Sequence, residues 1–203
     1  MKKILYSVAL AACCMGTMTS CSDFLDASNK SNVTAKQSFA TKEGLNNLVN
    51  NAYQHLQNVY AAPLFTSCFS AGTDMYADAR NKMNEALNTY ETLTPENTDI
   101  KNLYTYLYSG IRAANSVSYY AQTAQVDDKT KGQLVGEARV LAAYEYYLLV
   151  NNFGGVPIMK DFLTTADTGY PKSSPADVYA YIISELEDVI SKNVLQASTA
   201  TKG

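Results

Sequence analysis

The chain has 203 residues, with 16 Lys and Arg against 19 Asp and Glu and a formal net charge of −3. It carries no basic cluster, which excludes the usual electrostatic footprint of a nucleic-acid binder. Sixteen tyrosines, no tryptophan and a single histidine make its aromatic chemistry that of tyrosine, and exclude most imidazole-based triads and multi-histidine metal sites.

The N-terminus reads as an export signal. Lys2 and Lys3 form a charged start, and Ile4–Met15 form an apolar run too short to span a bilayer. Met18-Thr19-Ser20-Cys21 follows and resembles a bacterial lipobox, with Met18 where Leu is usual. An ordinary secretory signal cut near Ser20 is the alternative. In the lipobox reading Cys21 takes a diacylglyceryl thioether and an N-terminal acyl chain such as palmitate. At about 0.8 kcal/mol per buried methylene, such chains hold a protein on a membrane almost irreversibly. Cys13 and Cys14 leave with the signal, so Cys68 is the one remaining thiol and no internal disulfide is expected. Loss of Lys2 and Lys3 leaves fourteen basic residues against nineteen acidic, about −5. Residues 1–20 are thus assigned to the signal peptide, 21–37 to a polar, lipidated tether in which Phe24 and Leu25 can dock, and 38–203 to a helical domain.

A first helix is predicted from Thr41, its N-cap, to Tyr60, with Leu45, Leu48, Val49, Ala52, Tyr53, Leu56 and Val59 on one stripe. His55 falls off that stripe and reads as a surface residue. Ala61–Ser70 is a break around Pro63, with Phe65 and Phe69 expected to pack inward. Ala71–Asn88 is ambiguous, and Thr92–Thr98 is a loop with Asn or Thr caps. The spacing of Ile100, Leu103, Leu107, Ile111, Ala114, Val117 and Ala121 predicts a long helix from Asp99 to Ala124. Gly110 inside it costs about 1 kcal/mol against Ala, which points to a close helix contact. Asp127 and Asp128 start the next helix after about three residues, so the two must run antiparallel.

That second helix contains the most informative stretch, Glu137–Pro157 (EARVLAAYEYYLLVNNFGGVP). Val140, Leu141, Tyr144, Tyr147, Leu148 and Asn151 recur at helical spacing. Gly154 can close the helix in a left-handed conformation, and Pro157 forces Val156 to be extended. The last helix has Ser174 as N-cap, Pro175 at N1 and Asp177 closing a capping box, with Val178, Ile182, Leu186, Val189 and Ile190 facing the core.

Nothing in this inventory converges on catalysis. No glycine-rich phosphate loop or HExxH motif occurs, and spacing singles out no pair among Glu85, Glu91, Glu96, Glu137 and Glu145. Glu137 and Arg139 read as structural partners of a neighbouring helix or loop. Tyr104, Tyr108, Tyr120, Tyr144 and Tyr147 follow the helical stripes and read as packing residues. Tyr76 differs, because it lies in the polar, aperiodic segment Asp74–Asn84 (DMYADARNKMN). That segment is either an ordinary surface loop or a place where a Tyr ring meets a ligand.

The Glu-Ala-Arg start, the Tyr-rich helix and Phe-Gly-Gly-Val-Pro, followed in order by the Ser174–Ile190 helix, resemble the signature segments of the SusD/RagB family. Cys-Ser-Asp-Phe-Leu-Asp at residues 21–26 is also similar to the start of such lipoproteins. The resemblance implies a mainly α fold of tetratricopeptide-like helical hairpins, without enzymatic activity or cofactor. It implies a lipid-anchored protein at the outer-membrane surface that binds an oligosaccharide or peptide and delivers it to a SusC-like TonB-dependent transporter. It further implies that Tyr76 stacks on a sugar while Arg80, Asn81 and Asn84 hydrogen-bond its hydroxyls. Against the family's length, the ending STATKG gives the expectation of a chain truncated after about two-fifths of a member. A lipid-anchored helical scaffold binding only protein partners in the envelope is the competing reading, and a surface glycan hydrolase is a third.

Overall fold

The computed structural model describes residues 34–61, 63–76, 85–165 and 169–195. The chain divides into two units after Thr34, and the described helices all belong to the second, Ala35–Gly203. They are α1 (Ala35–Ser38), α2 (Lys42–Tyr60), α3 (Leu64–Phe69), α4 (Glu85–Thr89), α5 (Thr98–Ala121), α6 (Asp128–Phe153) and α7 (Pro175–Ser191). No strand occurs among the described residues, and no helix there is long and apolar enough to cross a membrane.

The long helices begin where polar caps satisfy their first amides. Thr41 Oγ1 accepts from Gly44 N at 3.1 Å, and Asn97 Oδ1 accepts from Asp99 N and Ile100 N at 3.0 and 3.2 Å. Asp127 Oδ1 accepts from Thr130 N at 2.9 Å, which also holds its carboxyl below the usual range. Ser174 and Asp177 form the full capping box expected at α7. Gly154, at φ 69°, ends α6 in a conformation that side chains resist. The α5–α6 connection takes residues 122–127, longer than the three expected, and Gln125 N donates to Ala40 O at 2.8 Å across it.

Helix α5 is central, packed against α2 and α6, and α6 in turn carries α7. Tyr53 pairs with Glu137, and Tyr60 with Tyr144, so α2 and α6 run parallel. Tyr104 meets Phe153 and Gly110 meets Glu145, so α5 and α6 run antiparallel. Arg139 reaches Glu185 (2.7 Å) and Asp188, while Tyr179 Oη donates to Asn151 Oδ1 (3.2 Å), which makes α7 antiparallel to α6. These are stacked hairpins. One buried cluster joins Leu45, Val49 and Ala52 to Ala114, Val117, Ala138 and Ala142. A second joins Val59, Leu107, Ile111, Tyr146, Leu149, Val156 and Val178.

Several expectations change. Ile190, expected to face the core, is 74% exposed at the end of α7, and Tyr53 at the edge of the α2 stripe is 42% exposed. The break after α2 holds α3, and Phe65 is exposed on it, stacked on Phe69 (centroids 5.2 Å apart), because Leu64 and Ser67 take the inward positions. His55 is half-buried rather than a surface residue. Its Nδ1 is covered without a partner, and that burial lowers its pKa. On α6, Tyr144 and Tyr147 are 38% and 48% exposed while Tyr146 is fully buried. The buried face turns about one residue from the predicted stripe, because α6 must meet α5 and α7 together, and it carries Ala138, Ala142, Glu145 and Leu149.

At Gly110, α5 and α6 approach closely. A Cβ there would collide with the Glu145 carboxyl, and Glu145 is fully buried, so it has no free space to vacate. Gly110→Ala should therefore destabilise by about 1–3 kcal/mol despite Ala's better helix propensity. In a Glu145→Ala background the same change should become neutral or stabilising. A double-mutant cycle by urea denaturation measures this coupling, and additive effects would refute the contact.

Candidate functional site

The sequence-predicted ligand residues begin in the loop after α3. Ser70 O accepts from Thr73 Oγ1 at 2.7 Å, Asn88 Oδ1 accepts from Gly72 N at 3.4 Å, and Tyr90 Oη donates to Gly72 O at 3.4 Å. The two Gly72 bonds tie this loop to α4 and to Tyr90, which lies at φ 63°. Met75 (92% exposed) stands out from this loop, Tyr76 after it is half-buried, and Tyr90 is 58% exposed. Arg80, Asn81 and Asn84 lie outside the described residues, as does Cys21. The structure thus places Tyr76 on the surface loop and brings Tyr90, a ring the sequence reading did not single out, onto Gly72 of the same loop.

Residues 157–165 form an irregular strap that leaves α6 and crosses α5. Having no ladder partner, its backbone is satisfied by side chains. Tyr108 Oη donates to Pro157 O at 2.8 Å, and Asn115 Nδ2 donates to Met159 O at 2.8 Å. Met159 N donates to Tyr146 Oη at 2.7 Å, and Arg112 Nη2 donates to Leu163 O at 3.4 Å. Burial raises the Tyr108 and Tyr146 pKa values, so both phenols stay protonated as hydrogen-bonding anchors. Arg112 also lies 5.2 Å from the centroid of Phe162.

The titratable groups outside these loops are structural. Glu137 Oε1 accepts from Tyr53 Oη at 2.7 Å, as expected of a partner to a neighbouring helix. Cys68 is half-buried with Sγ 3.7 Å from Asp99 O, and burial, reinforced by the Asp99 charge, pushes its thiol up to about 11. Such a thiol stays protonated and unreactive at neutral pH. No group of three or more metal-ligating side chains occurs among the described residues.

Glu145 is the exception that sequence spacing could not single out. It is fully buried, both carboxyl oxygens lack a partner, and desolvation pushes its pKa up to about 9. The folded state therefore binds a proton that the unfolded chain releases above its ordinary value of 4.5. Stability from this group is complete below 4.5 and is lost as pH rises towards 9, at about 1.4 kcal/mol per pH unit between the two values. Glu145→Gln should flatten the stability profile between pH 5 and 9 and raise the melting temperature at pH 8. An unchanged slope in thermal melts across that range would assign the pH dependence elsewhere.

The SusD-like family described as "Starch-binding associating with outer membrane" matches residues 23–199. The SusD-like protein P38 of Formosa agariphila is 27% identical over 190 residues, covering 91% of this chain and 36% of that protein. Surface glycan-binding protein A from Bacteroides uniformis superposes with a TM-score of 0.66 at 25% identity, over 78% of this chain and 36% of that one. A laminarin-binding SusD-like protein gives a TM-score of 0.63 at 20% identity, over 72% and 33%. The chain thus spans about 36% of the length of the first two relatives.

Proposed function

The chain belongs to the SusD-like family, and on that premise we propose that it is the N-terminal part of a surface lipoprotein that binds a glycan and delivers it to a TonB-dependent outer-membrane transporter. The observation that carries the reading is the family match across nearly the whole chain, 23–199, to a family described as starch-binding and associating with the outer membrane. The fold supports it: the helical hairpins are those of glycan-binding neighbours. In this reading Cys21 carries the lipid, the hairpins present a rigid surface to a SusC-like partner, and the loop around Tyr76, Arg80, Asn81 and Asn84 contacts ligand. The mechanism is capture without chemistry. Tethering beside the transporter raises effective concentration, so modest affinity suffices.

Three measurements test it. Isothermal titration of the whole protein against a glycan and peptide panel should give binding to at least one oligosaccharide, and affinity purification from the outer membrane should bring down a TonB-dependent transporter. A protein partner without any glycan or peptide binding would favour the envelope scaffold instead. Cys21→Ala should abolish acyl labelling and release the protein from the membrane fraction; continued labelling would refute the lipid assignment.

A further inference from the structure

Between α5 and the strap lies a groove of about 570 Å3, within the roughly 300–1,000 Å3 range of small-ligand sites. None of the described residues 70–76 lines it. Tyr104 and Tyr108, one helical turn apart, line it with ring centroids 4.7 Å from each other. Neither ring is loose. Tyr108 is held by its bond to Pro157 O, and Tyr104 packs edge-on against Phe153 at 5.1 Å. Tyr104 is exposed, so the site needs little ordering to receive a flat apolar face.

The polar groups around these rings differ in sign and type. Arg112, exposed, is fixed by Phe162 and by a single Nη2 bond to Leu163 O, which leaves further N–H donors at the groove. Asp161, also exposed, brings a carboxylate acceptor from the strap. Asn115 commits its amide nitrogen to Met159 O and retains its carbonyl oxygen. Ser109 adds a hydroxyl that can donate or accept, and Thr105, whose hydroxyl donates to Lys101 O, adds an acceptor.

The geometry points to this groove as a second saccharide-binding site, for a neutral oligosaccharide held with ring faces against Tyr104 and Tyr108 and hydroxyls shared between Arg112 and Asp161. Each part of the lining selects for that class. A sugar offers a C–H face for an aromatic ring and edge hydroxyls that both donate to a carboxylate and accept from a guanidinium. An acidic ligand gains Arg112 but is repelled by Asp161, a cationic one gains Asp161 but is repelled by Arg112, and a purely apolar one strips water from both without compensation. The inference rests on the glycan-binding reading and adds a location to it.

The test is isothermal titration of the whole protein with maltohexaose, laminarihexaose, a wider panel of neutral glycans and an oligogalacturonate. Asp161→Ala, Thr105→Arg and Arg80→Ala serve as variants. Asp161 and Thr105 are exposed, and Thr105 bonds only within its own helix, to Lys101 O at 2.8 Å, so melting temperatures should not move. A neutral oligosaccharide should bind, and Asp161→Ala and Thr105→Arg should each weaken it at least tenfold. Wild-type affinity in both variants, with loss only in Arg80→Ala, would overturn the groove and leave the glycan reading standing. Preference for the oligogalacturonate would overturn the neutral class. Failure of the wild-type protein to bind any of the glycans would overturn both.

Discussion

The structure turns on how the backbone leaves α6. Gly154 reverses the chain, and from Pro157 onward the strap runs over α5 with no helix or sheet to absorb its amides and carbonyls. Tyr108, Asn115, Arg112 and Tyr146 supply those hydrogen bonds from two helices. A buried carbonyl left without a donor costs about 1–3 kcal/mol, so these four side chains set one path for the strap. Ser173 N donates to Val156 O at 3.1 Å and closes the base of the excursion directly before the Ser174 cap. The shape of the groove follows from that path.

The same helices accept a cost in the core. Burying an unpaired carboxyl against Gly110 of α5 lowers stability at neutral pH. The opposing helix answers with Gly110, removing the one side chain that would compete for the volume. Arg139 makes a different kind of inter-helix link. It bridges Glu185 and Asp188 of α7 at the partly exposed edge, where solvent screens the pair and its net contribution is modest. Packing of Val178, Ile182 and Val189 therefore holds α7 more than its ion pairs do.

Local chemistry was legible wherever one residue decides the outcome alone. Thr41, Asp127 and Ser174 each cap the helix they precede, and Gly154 ends α6, because a cap or a positive φ depends on a few neighbouring atoms. Facing was less legible. Three adjacent aromatic or acidic residues, Tyr144 to Tyr146, divide between solvent and core according to which partner helices flank α6, and no single-helix periodicity encodes two partners at once. Glu145 broke the pattern further, since a carboxylate on a buried face argues against that face. The strap was invisible for the opposite reason: its order comes from tyrosine and asparagine side chains some forty to fifty residues away in α5.

Tyrosine explains why one chain composition serves both structure and surface. Tyr146 is wholly buried and uses its hydroxyl to hold Met159, while Tyr104 shows its ring to solvent one turn from Tyr108, whose hydroxyl is anchored. Tryptophan would offer a larger platform but only a donor, and phenylalanine no polar handle at all. A phenol can accept from an amide, as at Met159 N, or donate to a carbonyl, as at Pro157 O, without a charge to desolvate. The residue that locks the strap is thus the residue that lines the groove beneath it, and rigidity of the one is preorganisation of the other.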